Sequence, residues 1–457
     1  MRSEPLSMEQ YIELSAQEAG WKNPVLAEKY TGQSLPTLKE MARRTGALDQ
    51  TAGDIGDVKQ PLNPDFFAFR EGLREEHAEF KRSEGDAHDF DSGYRPEFPQ
   101  ETIAKLASYG FTKPVDMVHS TSGRAAIFEL FYGLESLTEE GKIPVGILDP
   151  VAWSGLRDSA TKTRIQPLFA PTKEGHGFTL TEDGLLESLN FLKAHPQYQP
   201  SFAYTIVPSN PTGEKAKYDE LVKIAETAAA NGLTLVIDII YLAISPTEGP
   251  AHDNPQLRGL IHYLETHLSP EAWQSIVFVE GETKIVGTPR TGGLIIPKGG
   301  ARNATLAAAA RDVKQVINTY PDPMSALNAT ALHRFPEGIQ GAMGRRYEGL
   351  EGSRRSFKNR IGKLIPIVGG NSFYFLGALV DGEGKPLIRD EQGRPVQDPK
   401  RASEILLQNH NLAAAPGDMF RPGQHSTYRF SAATTPNVIQ RLGDIIEGLV
   451  EEAERKG

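Results

Sequence analysis

The chain predicts an α/β protein, with a large domain built on a mostly parallel sheet and a smaller α/β domain beside it. Three observations carry this. Short apolar runs alternate with amphipathic helical segments from about residue 115 onwards. Several of those runs are apolar nearly throughout, the pattern of strands buried on both faces. At 457 residues the chain can build one large α/β domain and a second, smaller one.

Taken in order, residues 1–60 read as a helical lead-in, with Met8, Tyr11, Ile12 and Ala19 at helical spacing. Residues 61–100, rich in Pro, Gly, Asp and Phe, read as irregular connecting chain. Val115 to Val118 predicts a strand that runs through Ser120-Thr121-Ser122-Gly123 into a helix carrying Ile127, Leu130, Phe131 and Leu134. Ile143 to Leu148 predicts a strand ending at Asp149-Pro150, and Phe202 to Val207 another, ending at the turn 209–213. A helix with Leu221, Val222, Ile224 and Ala225 on its buried side follows and stops at Asn231-Gly232. Leu233 to Ile237 is the next strand. This strand–helix–strand unit implies a parallel pair with a right-handed crossover. Asn210 and Asp238 then fall at C-terminal strand ends, the edge where open α/β sheets bind ligands. Ile276 to Val279 and Gly293 to Ile296 predict strands on either side of Lys284, which brings that lysine toward the same edge.

A helix-rich stretch covers Ala301 to about Leu364. A second α/β pattern follows: Ser372 to Val380, a Gly/Asp/Pro loop over 381–400, a helix over 401–409, and Tyr428-Arg429-Phe430-Ser431. The last helix places Val438, Leu442, Ile445, Ile446 and Leu449 on one face. The loop at 381–400 is long for a compact domain, and is either a flap or a solvated hairpin. The expected division is 1–100 as an N-terminal helical arm with part of the small domain, 101–340 as the large domain, and 341–457 as the C-terminal small domain.

Composition narrows the function classes. A net charge of −10 without a long basic run argues against a nucleic-acid partner. The absence of cysteine excludes disulfides and cysteine-based metal sites, and no metal is expected. No stretch approaches the roughly 20 apolar residues that span a bilayer. The opening Met1-Arg2-Ser3-Glu4-Pro5 lacks the apolar core of a signal peptide, so a cytoplasmic protein is expected.

Three short stretches carry chemistry: Ser209-Asn210-Pro211-Thr212-Gly213, Asp238-Ile239-Ile240-Tyr241, and Thr283-Lys284 with Arg290 six positions beyond the lysine. They supply an amine able to form a Schiff base, a carboxylate, two hydrogen-bond donors and a guanidinium. Each alone has a plain structural reading. Asn210 before Pro211 suits an Asx-type turn, Asp238 a cap or strand-end turn, Tyr241 an ordinary core position, and Lys284 a solvated loop. The series reads differently. With Gly370-Asn371-Ser372-Phe373-Tyr374-Phe375, Ala415-Pro416-Gly417-Asp418-Met419-Phe420 and Tyr428-Arg429-Phe430-Ser431 following in order, it resembles the class I/II aminotransferases over roughly residues 115 to 450.

That resemblance implies the fold type I, aspartate aminotransferase-like architecture, with pyridoxal 5'-phosphate bound in the large domain. It implies a homodimer that exchanges an amino group between an L-amino acid and a 2-oxo acid. Lys284 corresponds to the Schiff-base lysine and proton carrier, with Thr283 beside it. Asp238 corresponds to the partner of the ring nitrogen, and Tyr241 and Asn210 to donors toward the ring oxygen. Ser122, Gly123 and Arg124 open a helix where the family binds phosphate. Arg124 is unusual there, and phosphate, substrate and solvent all remain open as its partner. Arg290 resembles a second phosphate ligand, Trp153 an aromatic stacked on the ring, and Arg429 the clamp on the substrate carboxylate. Tyr94 matches a tyrosine that reaches a neighbouring subunit's phosphate in relatives. The chain departs from the family where Lys284 and Arg290 stand two positions closer than usual, and where Gly281 replaces a hydroxyl residue three before the lysine. A PLP enzyme of the same fold catalysing β- or γ-elimination, replacement or ring closure is the alternative, since the same electron sink serves those reactions. A transcriptional regulator with such a sensor domain would need a basic DNA-binding module, and residues 1–100 are not basic.

Overall fold

A computed structural model of the chain describes residues 48–50, 106–107, 109–172, 178–242, 255–281, 292–317, 350–421 and 426–456. The elements begin with β1 (Leu48–Asp49), β2 (Val115–Ser120), α1 (Gly123–Glu135), β3 (Ile143–Leu148), α2 (Ser154–Lys162) and β4 (Gln166–Phe169). They continue with α3 (Glu182–Lys193), β5 (Tyr198–Ile206), α4 (Tyr218–Ala230), β6 (Thr234–Asp238), α5 (Pro255–His267) and α6 (Pro270–Trp273). Then come β7 (Ile276–Gly281), β8 (Gly292–Pro297), α7 (Ala301–Ile317) and α8, over 350–360. The last are β9 (Ile367–Gly369), β10 (Tyr374–Ala378), α9 (Pro399–His410), β11 (Leu412–Ala413), β12 (Ala415–Pro416), β13 (Thr427–Ser431) and α10 (Pro436–Lys456).

Contacts divide the chain into two units. The first gathers Met1–Val58, Thr138–Ala216 and Leu350–Gly457. Within it, β3 pairs in parallel with both β4 and β5. A separate antiparallel sheet has the order β12-β13-β10-β9, and β1 runs parallel to β11. Its core stacks Phe357 of α8 on Phe375 of β10 at 4.4 Å between ring centroids. Around them Ile439, Leu442, Ile446 and Leu449 bury the apolar face of α10. Each fully buried aliphatic side chain of this kind contributes about 1.5–3 kcal/mol.

The second unit gathers Lys59–Leu137 and Lys217–Gly349. Its described strands follow the order β2-β8-β7-β6. β6 and β7 are parallel, with Asp238 opposite Val279, while β8 runs against both its neighbours. Every residue of β6, β7 and β8 is buried, as the continuous apolar runs require.

The predicted strand Ile143–Leu148 has the same bounds in the structure. Those at 115, 276 and 293 extend by one or two residues. β5 begins earlier than its apolar run, at Tyr198, because β3 offers partners for it: Ile143 pairs with Tyr198 and Pro144 with Gln199. α2, β4 and α3 went unread. The 381–400 segment forms two consecutive hairpin turns. In the first, Asp381 Oδ1 accepts the amides of Glu383 and Lys385, each at 2.9 Å. In the second, Asp390 Oδ1 accepts those of Gln392 and Arg394 at 2.9 and 2.8 Å. Leu387 and Ile388, between the turns, are buried in the core of the first unit and anchor the segment. Residues 1–47 and 51–105, read above as lead-in helix and connecting chain, lie outside the described residues.

Candidate active site

In the second unit, β2 ends at Ser120 and the chain turns directly into α1. Ser122 is the N-cap, and its Oγ accepts the Ala125 amide at 3.1 Å. An α-helix start leaves its first amides without intrahelical acceptors, and its dipole favours an anion there. Gly123 is buried and Arg124 is exposed. A Cβ on Gly123 would lie 3.2 Å from the Glu280 carbonyl oxygen and 3.4 Å from Ile240 Cδ1. A Cβ on Gly292 would lie 2.3 Å from the Gly123 nitrogen. The helix start therefore sits against the C-terminal end of β7, the first residue of β8 and the segment just after β6.

The end of β6 and that segment carry two of the predicted residues. Asp238 is the last residue of β6 and only 4% exposed, and its Oδ1 accepts the Ile240 amide at 3.0 Å. Tyr241 is buried in the turn that follows. The unit thus brings Ser122, Gly123, Asp238 and Tyr241 to one edge of its strands. α1 itself carries a buried carboxylate: Glu129 Oε1 accepts the Ser120 hydroxyl at 2.8 Å. Burial raises the Glu129 carboxyl to about 7, with the Ser120 hydroxyl and the Lys314 charge opposing that rise.

In the first unit, Asn210 and Arg429 meet. Arg429 Nη1 donates to Asn210 Oδ1 at 2.8 Å, and both side chains are buried. The guanidinium lies 4.4 Å from the Tyr374 ring centroid and 5.1 Å from that of Phe420. Aromatic faces stabilise a desolvated cation by about 0.5–2 kcal/mol each. Trp153 is half-buried as the N-cap residue of α2. The Ala152 amide before it donates to the Phe420 carbonyl at 3.0 Å, which ties the Trp153 segment to the ring beside Arg429.

The turn carrying Asn210 is held on several sides. Asp149, read from sequence only as a strand end, accepts the Leu180 amide at 2.9 Å and the Ile206 amide at 3.0 Å. It thereby fixes the end of β5. Within the turn, the Gly213 amide donates to the Ser209 carbonyl and the Asn371 amide to the Gly213 carbonyl, both at 2.8 Å. Gly213 has φ +70°, and a Cβ there would lie 2.4 Å from the Tyr374 carbonyl oxygen. A Cβ on Gly369 would overlap the Thr212 carbonyl oxygen, so only glycine allows this approach. The two glycine-containing motifs around residues 210 and 370, separate in sequence, are one packed structure.

Tyr374 and Phe420 were missed as neighbours of Arg429. Their signal was present, since both belong to the motifs quoted above, but the contact depends on sheet register. Thr283, Lys284, Arg290 and Tyr94 lie outside the described residues. Among the described residues, no cluster of His, Cys, Asp and Glu could hold a metal ion. Each unit's groups fit part of pyridoxal phosphate chemistry in kind: the second offers helix-start amides for a dianion, a buried carboxylate for a cationic ring nitrogen and a tyrosine hydroxyl for a phenolate, and the first an asparagine amide and a guanidinium for a carboxylate.

Comparison with known proteins points the same way. Residues 72–446 match the family model described as aminotransferase class I and II. The chain is 25% identical over 351 residues to the "Probable aminotransferase" of Mycobacterium tuberculosis, covering 74% of this chain and 73% of that protein. It is 24% identical over 377 residues to the aspartate aminotransferase of Geobacillus stearothermophilus, covering 81% and 85%. The aspartate aminotransferase of Thermus thermophilus, solved with maleate, has the same fold, with a TM-score of 0.68 at 18% identity over 91% of this chain and 96% of that one.

Proposed function

This chain belongs to the class I and II aminotransferase family, and from that premise we propose that it moves the amino group of an L-amino acid to a 2-oxo acid with pyridoxal phosphate anchored on Lys284. Membership makes it an aminotransferase, a transferase of nitrogenous groups, of a family whose members depend on pyridoxal phosphate. The observation that carries the residue assignment is the edge of the second unit. There a buried Asp238 ends β6, a buried Tyr241 follows in the next turn, and the start of α1 is packed against Ile240 between them.

When bound, pyridoxal phosphate supplies an aldehyde that condenses with amines and a cationic ring that accepts the electron pair left at Cα. Asp238 keeps the ring nitrogen protonated, and its burial strengthens that interaction. Tyr241 and Asn210 donate to the ring oxygen. The amides at the start of α1, with Ser122, Gly123 and Arg124, hold the phosphate, and Arg290 assists. Lys284 anchors the aldehyde carbon and carries the proton at the substrate Cα. In sequence it follows Gly281, the last residue of β7, by three positions. Arg429 orients the substrate carboxylate and Trp153 stacks on the ring. A cytoplasmic homodimer with 1–100, 101–340 and 341–457 as its chain divisions is part of the same reading. The family resemblance carries the homodimer, and the sequence pattern carries the divisions.

Borohydride reduction of the coloured holoprotein, followed by peptide mapping, tests the anchor. The label is expected on Lys284, and a label on another lysine overturns the assignment. Incubation with single amino acids tests the reaction, with the aminated cofactor and one equivalent of 2-oxo acid expected. Release of ammonia or of a side-chain leaving group without that change would assign elimination instead.

A further inference from the structure

We propose that Arg354, outside the family motifs quoted above, is a positioning residue that sets the placement of Asn210 and, through it, of the carboxylate clamp. The inference rests on the aminotransferase reading of Arg429.

Arg354 lies on α8, is only 2% exposed, and is among the largest fully buried side chains. Its Nε donates to the Ser372 carbonyl at 2.6 Å, a short bond from a charged donor. Its Nη1 also lies 3.5 Å from Glu351 Oε2, whose side chain is 39% exposed. A buried guanidinium is costly, and an apolar side chain of similar volume usually serves packing as well or better. A guanidinium buried here is therefore explained by a directional task, and its bond to the Ser372 carbonyl supplies one.

Ser372 closes the connection from β9 to β10. The preceding Asn371 amide donates to the Gly213 carbonyl at 2.8 Å, and the Gly213 amide to the Ser209 carbonyl at 2.8 Å. Ser372 Oγ accepts the Tyr374 amide at 3.2 Å and would lie 3.0 Å from a Cβ on Gly213. The turn so held presents Asn210 to Arg429. Arg354 thus grips, by one carbonyl, the connection on which the Asn210 turn rests. None of these contacts includes Arg354 touching substrate or cofactor, so its effect passes through backbone placement.

In the holoenzyme, Arg354→Met is expected to raise KM about tenfold for the amino acid that wild type turns over best, while kcat falls less than about threefold. Arg354→Lys keeps a donor for the Ser372 carbonyl and is expected to recover most of the loss. In an Asn210→Ala background, either substitution is expected to leave KM within about twofold, because its route of action is already removed. Deuterium uptake by the peptide spanning 209–214 is expected to rise in Arg354→Met ahead of uptake in α10. An unchanged KM, or an equal rise in the Asn210→Ala background, overturns the proposal. If Arg354→Met does not fold, Arg354→Gln, too short to keep the Ser372 carbonyl bond, replaces it in the same comparison, with Arg354→Lys again as the rescue. A wild-type protein that converts no amino acid to a 2-oxo acid defeats the aminotransferase reading instead. The exchange measurement needs no turnover and tests Arg354 in that case too.

Discussion

Arg429 and Asn210, 219 residues apart in the chain, are joined by a 2.8 Å hydrogen bond between buried side chains. The bond couples a residue read as a substrate clamp to one read as a cofactor ligand. A hydrogen bond to a charged group is worth about 1.5–3 kcal/mol, and more of that is felt when one partner is removed from a buried site. Asn210→Ala and Arg429→Lys are therefore expected to be non-additive. Each alone should raise KM for the amino donor at least about tenfold, and the double variant should cost less than the product. Steady-state kinetics on the four proteins measures the coupling. Independent effects would show that the contact carries no part of carboxylate binding.

Asp238 offers a cleaner separation of chemistry from folding. Its carboxylate ends a fully buried strand and accepts the Ile240 amide at 3.0 Å. Asp238→Asn keeps an acceptor for that amide and removes the charge that holds a ring nitrogen protonated. We expect kcat to drop at least about a hundredfold, as when other preorganised electrostatic groups are removed. The thermal midpoint of the cofactor-free protein should change little. A large loss of stability with kcat retained would assign Asp238 to the fold rather than the reaction.

The anion site at the start of α1 depends on a glycine contact. A Cβ at Gly292 would lie 2.3 Å from the Gly123 nitrogen and 2.6 Å from the Ser122 carbonyl carbon, both backbone atoms. Gly292→Ala must push the helix start away from β8. Overpacking of this kind costs about 1–3 kcal/mol. The expected result is weaker retention of pyridoxal phosphate in dialysis, together with a lower denaturant midpoint. Unchanged retention would argue against phosphate binding at this helix start.

How far the chain could be read follows from what each element asks of its residues. β3 was legible to the residue because a strand buried on both faces is apolar along its whole length. β4 was not: Gln166-Pro167-Leu168-Phe169 is short, and Pro167 interrupts the pattern. Its place next to β3 at the end of the β5-β3-β4 group is where a strand proline is tolerated. α3 carried a signal, Leu185, Leu189 and Leu192 on one face, that went unread. At the candidate site, residue types were legible because the chemistry demands them, and their order resembles a known family. The contact of Tyr374 and Phe420 with Arg429 was not, because antiparallel register decides it: Leu376 stands opposite Arg429. The same holds for Asp149, whose two backbone acceptor bonds leave no pattern in sequence.

Glu129 sets a pH dependence that is independent of turnover. The side chain is 2% exposed, with Oε1 bonded to the Ser120 hydroxyl, and burial raises its carboxyl from 4.5 to about 7. Lys314 on α7 is the opposing charge, and burial lowers its own pKa. Between pH 4.5 and about 7 the folded protein therefore keeps a proton that the unfolded chain has released. Stability must fall as pH rises through that window and flatten above it, by about 3 kcal/mol in all if Glu129 acts alone. Glu129→Gln mimics the protonated acid and can still accept from Ser120. Its stability should match wild type near pH 4.5, exceed it increasingly up to pH 7, and hold that advantage at pH 8. Urea denaturation of both proteins across this range measures the difference. Curves that stay parallel would show that Glu129 is already ionised in the fold, with its charge compensated by Lys314.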